Sequence, residues 1–483
     1  MHTAESLKTE PVFSWFHRIC LIPHGSGNEK ALGDMIVSHF MNRENVEVKK
    51  DAVGNVYLRK QDDGNGKAPV LLQAHLDMVC QKRDGSKHDF LKDPIRWVVD
   101  GDLLGTGGET TLGADDGIGV ALALTALESE DPEMPPLEVI LTTGEEEDFA
   151  GAAGFDPSWF TARRMINLDH VSEEEVLCGS SGGMAAEVTI PVERNAVPPE
   201  YRCFTIRVDG LAGGHSGEDI HRGRGSANVL LTRLVYAASR DTDLRILSVR
   251  GGTFRLALPY HAECVIALPS GDAERVSALM RDTFETFRPE LALSGKNIRL
   301  SVQETDGEGK TCISADQFYN PCMLLPDGIF QLNEALEGFV DASDNVGEVI
   351  LEEEADALRI VIEIRAAYES VREWLFARIS RVAQLCGGTC EGSRAYPSWF
   401  FNAESELAAH CREVYARLSG GKQMRTLTVH AGLEVGYFYE KGATDDAVSL
   451  GPDTWDLHSP TERVSISSVE RFYAFLTELL RTL

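Results

Sequence analysis

Histidine and carboxylate side chains recur at five separated places in the outer parts of this chain. The places are His75-Leu-Asp77, Asp115-Asp116, Glu145-Glu146, Asp169 and His458. Most of them come directly after an apolar stretch that predicts a strand, whereas Asp115 follows a glycine-rich loop over residues 105–113 and opens a predicted helix. Ligand sites in open α/β sheets lie beyond the carboxyl ends of the strands. We therefore expect these loops to converge.

The residue types at these places indicate a site for divalent metal ions. A mixed set of His, Asp and Glu without thiolates suits Zn²⁺ in a hydrolytic site, or Mn²⁺ and Co²⁺. Two histidines and three carboxylates can hold two ions if one carboxylate bridges them, and paired ions together activate a water and polarise a carbonyl oxygen. Asp77 lies on the same side of an extended chain as His75, where it can orient the imidazole.

Each group taken alone has an ordinary explanation. An Asp-Asp-Gly sequence such as residues 115–117 is typical of a turn or a helix cap. The acidic run over residues 145–148 is typical of a solvated loop, and His75 beside an apolar strand is typical of a satisfied core histidine. The ordered combination of the five places, rather than any one of them, indicates the metal site.

Alternating apolar strands and helices predict the fold of the outer segments. Strands are predicted over residues 46–51, 55–60, 70–74, 137–143 and 165–168, and a helix over residues 117–129. Ser26 and Glu29 have the spacing of a capping box and predict a helix that runs through Phe40. The fold class is therefore α/β, with a mixed, largely parallel sheet flanked by helices.

The pattern changes after about residue 184 and returns at about residue 394. Between them, strands are predicted over residues 202–209, 262–267, 297–303 and 357–365, and amphipathic helices near 226–240, 272–288 and 368–386. The sequence thus predicts one domain made of residues 1–184 and 394–483, with an α+β insert over residues 185–393. The insert is long enough for two βαββαβ-like lobes in tandem.

The composition of the chain indicates which partners it can bind and in which cell compartment it is expected. The chain has 46 Lys and Arg against 76 Asp and Glu, a net charge of −30, which disfavours nucleic acids and anionic membranes. It lacks the run of about 18 apolar residues that spans a bilayer, and its start does not resemble a signal peptide, so we expect a cytoplasmic protein.

The ten cysteines are expected to be reduced thiols. The one close pair, Cys386 and Cys390, lacks the second pair that a metal clip needs.

Several segments together resemble the co-catalytic zinc peptidases. They are HLDMV, TTLGADDGIG, the Glu145-Glu146 pair, INLD, GGHSG and GPDTWDLHSP. That family includes glutamate carboxypeptidase, aminoacylase, carnosinase and the aminoacyl-histidine dipeptidases. The chain closely resembles the last group over almost its whole length, with HDFLKDPI, SEEE and HAGLE among the shared segments.

The resemblance implies metal-dependent hydrolysis of dipeptides, of the Xaa-His type and others. An N-acyl amino acid deacylase or a carboxypeptidase of the same family is the alternative. A non-catalytic, metal-stabilised binding protein is the alternative from another class, and it is disfavoured because such a protein needs the ligands but not the base at Glu145.

The resemblance also implies a role for each residue. Two zinc ions per chain would be held by His75 and Asp169 on one ion, Glu146 and His458 on the other, and Asp115 between them. Glu145 would be the general base that takes a proton from the attacking water. Asp77 would orient His75.

In the family the insert is a lid that closes over the substrate, and many relatives form homodimers through it. We expect a homodimer here, although a double lid could supply the lid groups within one chain. His215 matches the lid histidine that steadies the oxyanion, and Arg365 could clamp a substrate carboxylate or be an ordinary surface arginine. Leu256 stands where relatives have an asparagine, which puts substrate preference in doubt.

Overall fold

The polypeptide forms two compact units. The computed structural model describes residues 2–61, 64 and 66–483. The first unit comprises Met1–Gly179, Trp399–Thr428 and Leu433–Leu483, and the second comprises Ser180–Ser398 and Val429–Gly432. The main divisions lie within five residues of those predicted at 184 and 394. The sequence did not predict that residues 429–432, which lie between two segments of the first unit, belong to the second unit.

The helices and strands are numbered in chain order. The helices are α1 (Ala4–Leu7), α2 (Pro11–Cys20), α3 (Lys30–Phe40), α4 (Ala114–Glu128), α5 (Glu145–Asp148), α6 (Ala150–Gly154), α7 (Ala227–Ser239), α8 (Ala273–Glu285), α9 (Phe287–Glu290), α10 (Ala315–Leu324), α11 (Glu369–Leu385), α12 (Glu406–Leu418), α13 (Val435–Glu440) and α14 (Ile466–Thr482). The strands are β1 (Val46–Lys50), β2 (Val56–Lys60), β3 (Val70–His75), β4 (Val98–Asp100), β5 (Leu103–Gly105), β6 (Leu137–Thr142), β7 (Arg164–Asn167), β8 (Glu175–Ser180), β9 (Gly182–Pro191), β10 (Asn195–Ala196), β11 (Tyr201–Asp209), β12 (Arg245–Gly251), β13 (Ala262–Pro269), β14 (Arg299–Thr305), β15 (Thr311–Ser314), β16 (Gly328–Leu332), β17 (Val340–Leu351), β18 (Ala357–Ala366), β19 (Thr389–Tyr396), β20 (Arg425–Val429), β21 (Asp446–Ser449), β22 (Thr454–Trp455) and β23 (Arg463–Ser465).

A mixed sheet organises the first unit. Its strand order is β1-β2-β6-β3-β7-β21-β8-β20. Strand β3 is parallel to β6 and β7, and β7 is parallel to β21, whereas β1, β2 and β8 pair antiparallel. This confirms the predicted α/β class. Because β3, β6 and β7 run in the same direction, their carboxyl ends lie at one edge, where His75, Glu145 and Asp169 follow.

Both faces of this sheet are covered, because every residue of β3 and β6 is buried. One face packs in a core with Phe16 of α2 and Leu122 of α4. On the other, Phe160 contacts Tyr57 of β2 and Phe438 of α13. A sheet buried on both faces requires continuous apolar strands. That requirement explains why the strands before the site could be recognised in the sequence.

The predicted capping box before α3 is wrong. Helix α3 begins at Lys30, and its N-cap, Glu29, makes no side-chain capping bond. Ser26 Oγ instead donates to Asp77 Oδ2 at 2.8 Å, while Glu29 Oε1 accepts from the N–H groups of Gly27 and Gly144. Both side chains are engaged by loops at the carboxyl edge of the sheet rather than by the helix end.

The second unit is built on one antiparallel sheet. Its main strand order is β14-β11-β13-β12-β17-β18-β9-β19, with β10, β15 and β16 off this path. The segment from β11 through α7, β12, β13 and α8 to β14 is a βαββαβ lobe. A second lobe uses β17, β18, β9 and β19 with α11. Pairing of β12 with β17 joins the two lobes into one continuous sheet.

The four residues at 429–432 attach to the second unit through His430. The His430 ring is buried, and its Nδ1 lies 2.7 Å from Ser181 Oγ while its Nε2 lies 2.7 Å from Ser343 Oγ. A neutral imidazole satisfies both hydroxyls, because one nitrogen accepts and the other donates. Burial, reinforced by the charge of Arg365, lowers the pKa of His430 to about 3.

None of the helices among the described residues is both long and apolar enough to cross a membrane. The ten cysteines, including Cys386 and Cys390, are free thiols.

Acidification should destabilise the protein through His430. Its folded-state pKa lies below that of an unfolded histidine, so the unfolded chain binds this proton first. The contribution of neutral His430 is complete above about pH 6.5 and is lost toward pH 3, at about 1.4 kcal/mol per pH unit for one proton. Chemical denaturation of His430→Gln between pH 6.5 and 4 should therefore give a shallower pH slope than the wild type. His2→Gln should keep the wild-type slope, and an unchanged slope in His430→Gln would contradict the assignment.

Candidate metal centre

The five places predicted from the sequence meet at the carboxyl edge of the first unit's sheet. His75 ends β3, Glu145 and Glu146 open α5 after β6, Asp169 follows β7, and His458 lies in the loop between β22 and β23. In three groups, one ligand atom from each residue lies within 4.8 Å of those from the other two. The groups are His75, Asp116 and Asp169; His75, Glu145 and Glu146; and Asp115, Glu146 and His458.

Asp115 lies between the two imidazoles. Its Oδ1 is 3.1 Å from His75 Nε2, and its Oδ2 is 3.1 Å from His458 Nε2. Asp169 Oδ1 lies 3.7 Å from the same nitrogen of His75, and Glu146 Oε1 lies 2.9 Å from the same nitrogen of His458. The cluster therefore has two halves, each with one histidine and one acid of its own, that share a single carboxylate.

Asp116, next to the shared carboxylate, is engaged by the backbone. Its Oδ2 accepts from the N–H of His75 and its Oδ1 from the N–H of Gly119, each at 3.2 Å. Asp115 and Asp116 have non-helical backbone angles although they stand within α4. The regular helix thus starts near Gly117, where the sequence predicts it. Asp116 caps this helix and leaves Asp115 to face the histidines.

Asp77 organises both β3 and the glutamate pair. Its Oδ1 accepts from the N–H of Glu145 at 3.0 Å and its Oδ2 from the N–H of Glu146 at 3.2 Å. His75 Nδ1 lies 3.0 Å from the Asp77 carbonyl oxygen and 3.5 Å from Oδ1. Burial opposes ionisation of Asp77, but His75 and the hydroxyl of Ser26 lower its pKa to about 2. This carboxylate fixes the orientation of the His75 ring and of the glutamate pair together.

Burial and close neighbours shift the pKa values of several groups in the cluster. Burial, with the charge of Asp115, raises the pKa of Asp169 to about 7. Burial also raises the pKa of Glu145, and Asp169 and Glu146 add to the shift. Hydrogen bonds to Asp115 and Glu146 raise the pKa of His458 to about 11. Divalent cations fit this donor set, because they offset the repulsion among buried carboxylates while imidazole and carboxylate oxygens serve as ligands.

Two buried glutamates near this cluster were missed in the sequence. Glu434 Oε2 accepts from Gln73 Nε2 at 2.5 Å and from Thr142 Oγ1 at 2.6 Å, at the ends of β3 and β6. Glu462 accepts backbone N–H groups from residues 112–115. Glu434 lies in the HAGLE segment and Glu462 lies two residues after GPDTWDLHSP, but no local pattern marks either glutamate as buried.

In the second unit, His215 and Arg365 lie together. Arg365 is only 2% exposed. Its Nη1 donates to Tyr396 Oη at 2.8 Å, and its Nη2 lies 3.3 Å from both Ser216 Oγ and His215 Nε2. Burial and the charge of Arg365 lower the pKa of His215 to about 4. The alternative of a surface arginine is therefore wrong, since this guanidinium is buried beside a neutral imidazole.

Two other positions have ordinary contacts. His170, which follows Asp169, places Nε2 3.1 Å from Glu175 Oε2. Leu256 accepts the N–H of Ser216 at its carbonyl, at 2.8 Å, so its backbone supports the His215 loop whatever its side chain.

The chain matches the model of peptidase family M20/M25/M40 over residues 71–482. It is 36% identical to the cytosol non-specific dipeptidase of Escherichia coli (strain K12), over 100% of this chain and 99% of the relative. The crystal structure of an aminoacylhistidine dipeptidase from Vibrio alginolyticus is 34% identical, with a TM-score of 0.89 over 100% of this chain and 98% of that chain. A tripeptidase from Staphylococcus aureus shares the fold, with a TM-score of 0.57 at 15% identity over 98% of both chains.

Divalent cations should stabilise the protein. A ligand that binds only the folded state at about 100 times its Kd adds about 2.7 kcal/mol, so Zn²⁺, Mn²⁺ or Co²⁺ should raise the Tm and a chelator should reverse the rise. His458→Ala should reduce the rise, because one half of the cluster loses its imidazole. The matched control is His170→Ala, which should respond like the wild type. No rise with any of the three cations would count against a metal site.

Proposed function

The chain belongs to peptidase family M20/M25/M40, and we propose that it is a dipeptidase whose cluster holds two zinc ions. The family and the dipeptidase class predicted from the sequence are confirmed by the two relatives that match along the full chain. The observation that carries the proposal for the site is the Asp115 carboxylate, which presents one oxygen to His75 and the other to His458.

The residues of the cluster divide between the two ions. His75 and Asp169 would hold one zinc, Glu146 and His458 the other, and Asp115 both, with Mn²⁺ or Co²⁺ as substitutes. When bound, the ions would polarise the scissile carbonyl and lower the pKa of a water.

The chain's own residues supply the proton transfer and the orientation. Glu145 stands beside the ligand Glu146, and its main chain is fixed by Asp77. As general base it takes a proton from the water whose oxygen attacks the carbonyl carbon. When the C–N bond breaks, Glu145 returns that proton to the leaving amine. Asp77 is buried and acts by holding His75 and Glu145 in place.

Recognition of a dipeptide needs a group that binds its free carboxylate. We assign this role to Arg365, because Tyr396 and Ser216 hold its guanidinium and a buried arginine binds carboxylate strongly. His215, which is neutral at pH 7, would donate a hydrogen bond to the developing oxyanion. An Xaa-His dipeptide is the expected substrate among others, and deacylase or carboxypeptidase activity is the alternative.

His215 and Arg365 contact each other within the second unit of one chain. We propose a homodimer and a cytoplasmic location, and the name of the Escherichia coli relative agrees with that location.

A cavity of about 410 Å³ beside Glu146, lined by Met78, Cys80, Phe90 and Leu91, offers room for a substrate side chain.

Replacement of Glu145 should separate chemistry from metal binding. Glu145→Gln should lower kcat by about 10²–10⁴ because the general base is lost, while the bound zinc and the Tm stay near wild type. Asp77→Ala should lower metal affinity as well as kcat, because it supports a ligand. Exposed Glu147→Gln is the control and should keep wild-type kcat. Near-normal hydrolysis by Glu145→Gln would show that another group is the base.

A substrate panel should show that the free carboxylate matters. The enzyme should cleave Xaa-His and other dipeptides and discriminate against C-terminally amidated dipeptides and tripeptides, because amidation removes the free carboxylate and a third residue displaces it. Arg365→Lys should raise KM and reduce the discrimination between free and amidated dipeptides, since lysine cannot form two parallel hydrogen bonds. Equal cleavage of free and amidated dipeptides by the wild type would contradict the carboxylate clamp. Preferred cleavage of N-acetyl amino acids would favour the deacylase.

A further inference from the structure

One buried carboxylate, Glu462, holds the loop that presents Asp115. Glu462 is 3% exposed. Its Oε2 accepts from the N–H groups of Leu112 at 2.7 Å and Gly113 at 3.1 Å. Its Oε1 accepts from the N–H groups of Ala114 at 2.8 Å and Asp115 at 3.3 Å. Four consecutive peptide groups thus converge on a single side chain.

The backbone of this loop is shaped for an anion. Gly113 has φ of 70°, in the left-handed region, and a left-handed residue turns successive N–H groups toward one side. The loop also leads into α4, whose first N–H groups have no partners within the helix. A Cβ at Gly113 would lie 2.9 Å from Met78 Sδ, so the packing also favours glycine. Glu462 supplies the two acceptor oxygens that these N–H groups need.

Glu462 also belongs to the loop of His458. Its N–H donates to the carbonyl of Ser459 at 3.1 Å, which closes a turn just after the histidine. His458 itself has φ of 58°, a left-handed conformation that its loop must hold. The side chain of Glu462 therefore connects the turn after His458 to the peptide of Asp115, although those two residues are 343 positions apart in the chain.

We propose that Glu462 is a positioning residue that sets the shared carboxylate of Asp115 against His458. Its side-chain hydrogen bonds to the described residues all come from backbone N–H groups, so it acts on Asp115 through the loop that carries that residue. This inference rests on the proposed function, because the spacing it maintains is that of the proposed metal ligands. A merely structural anchor would change the Tm and leave metal affinity and kcat of the folded enzyme unaltered.

The decisive variant is Glu462→Gln, which preserves size. A glutamine has one acceptor oxygen, so its NH₂ group must face two of the four N–H donors. We expect roughly a 10–100-fold loss of affinity for at least one zinc ion, a fall in kcat of similar size, and little change in KM for a dipeptide. Zinc affinity is measured by competition with a chelator, well below the Tm of each variant.

Two further variants make the test interpretable. Glu462→Asp keeps both acceptor oxygens on a shorter side chain and should fall between the wild type and Glu462→Gln; it carries the test if Glu462→Gln does not fold. Glu470→Gln removes an exposed acid from α14 and should match the wild type. Wild-type zinc affinities and kcat in a folded Glu462→Gln, or in Glu462→Asp where Glu462→Gln does not fold, would overturn the inference alone. A wild-type enzyme that binds no zinc and cleaves no dipeptide would overturn the proposed function as well.

Discussion

Electrostatic repulsion among buried carboxylates is the constraint on which the first unit depends. The acids at the carboxyl edge of its sheet lie within a few ångströms of one another, where like charges are costly. Three of these acids offset this cost in the same way, by accepting hydrogen bonds from backbone N–H groups. Asp77 and Asp116 each accept two backbone N–H groups and Glu462 accepts four. These acids are satisfied by the backbone, which leaves Asp115, Glu146 and Asp169 free to face the histidines.

Only those features of this arrangement that neighbouring residues in the sequence reveal could be predicted. Strands β3 and β6 are apolar throughout because they are buried on both faces, and the candidate ligands come directly after such strands. Ser26 had the right spacing for a helix cap, but its hydroxyl bonds to Asp77, 51 residues away. Glu462 was missed for the same physical reason: its partners lie about 350 residues earlier in the chain. Burial of an acid is a tertiary property with no periodicity to reveal it.

The second unit shows how two lobes can supply one pair of side chains. His215 lies in the loop after β11 of the first lobe, and Arg365 stands near the end of β18 in the second. The pairing of β12 with β17 makes the two lobes one sheet, and so brings the imidazole and the guanidinium within 3.3 Å. The sequence predicted both residues but left Arg365 with a surface alternative. An alternating strand does not reveal that the end of the strand is also buried.

The segment 429–432 limits how the second unit can be exchanged between proteins. The second unit is not one continuous insert, since Val429–Gly432 also belongs to it. A chimera that exchanged only residues 180–398 for those of a relative would place His430 opposite foreign residues in place of Ser181 and Ser343. The two segments must therefore be transplanted together, and they are expected to have changed together when this insert diverged.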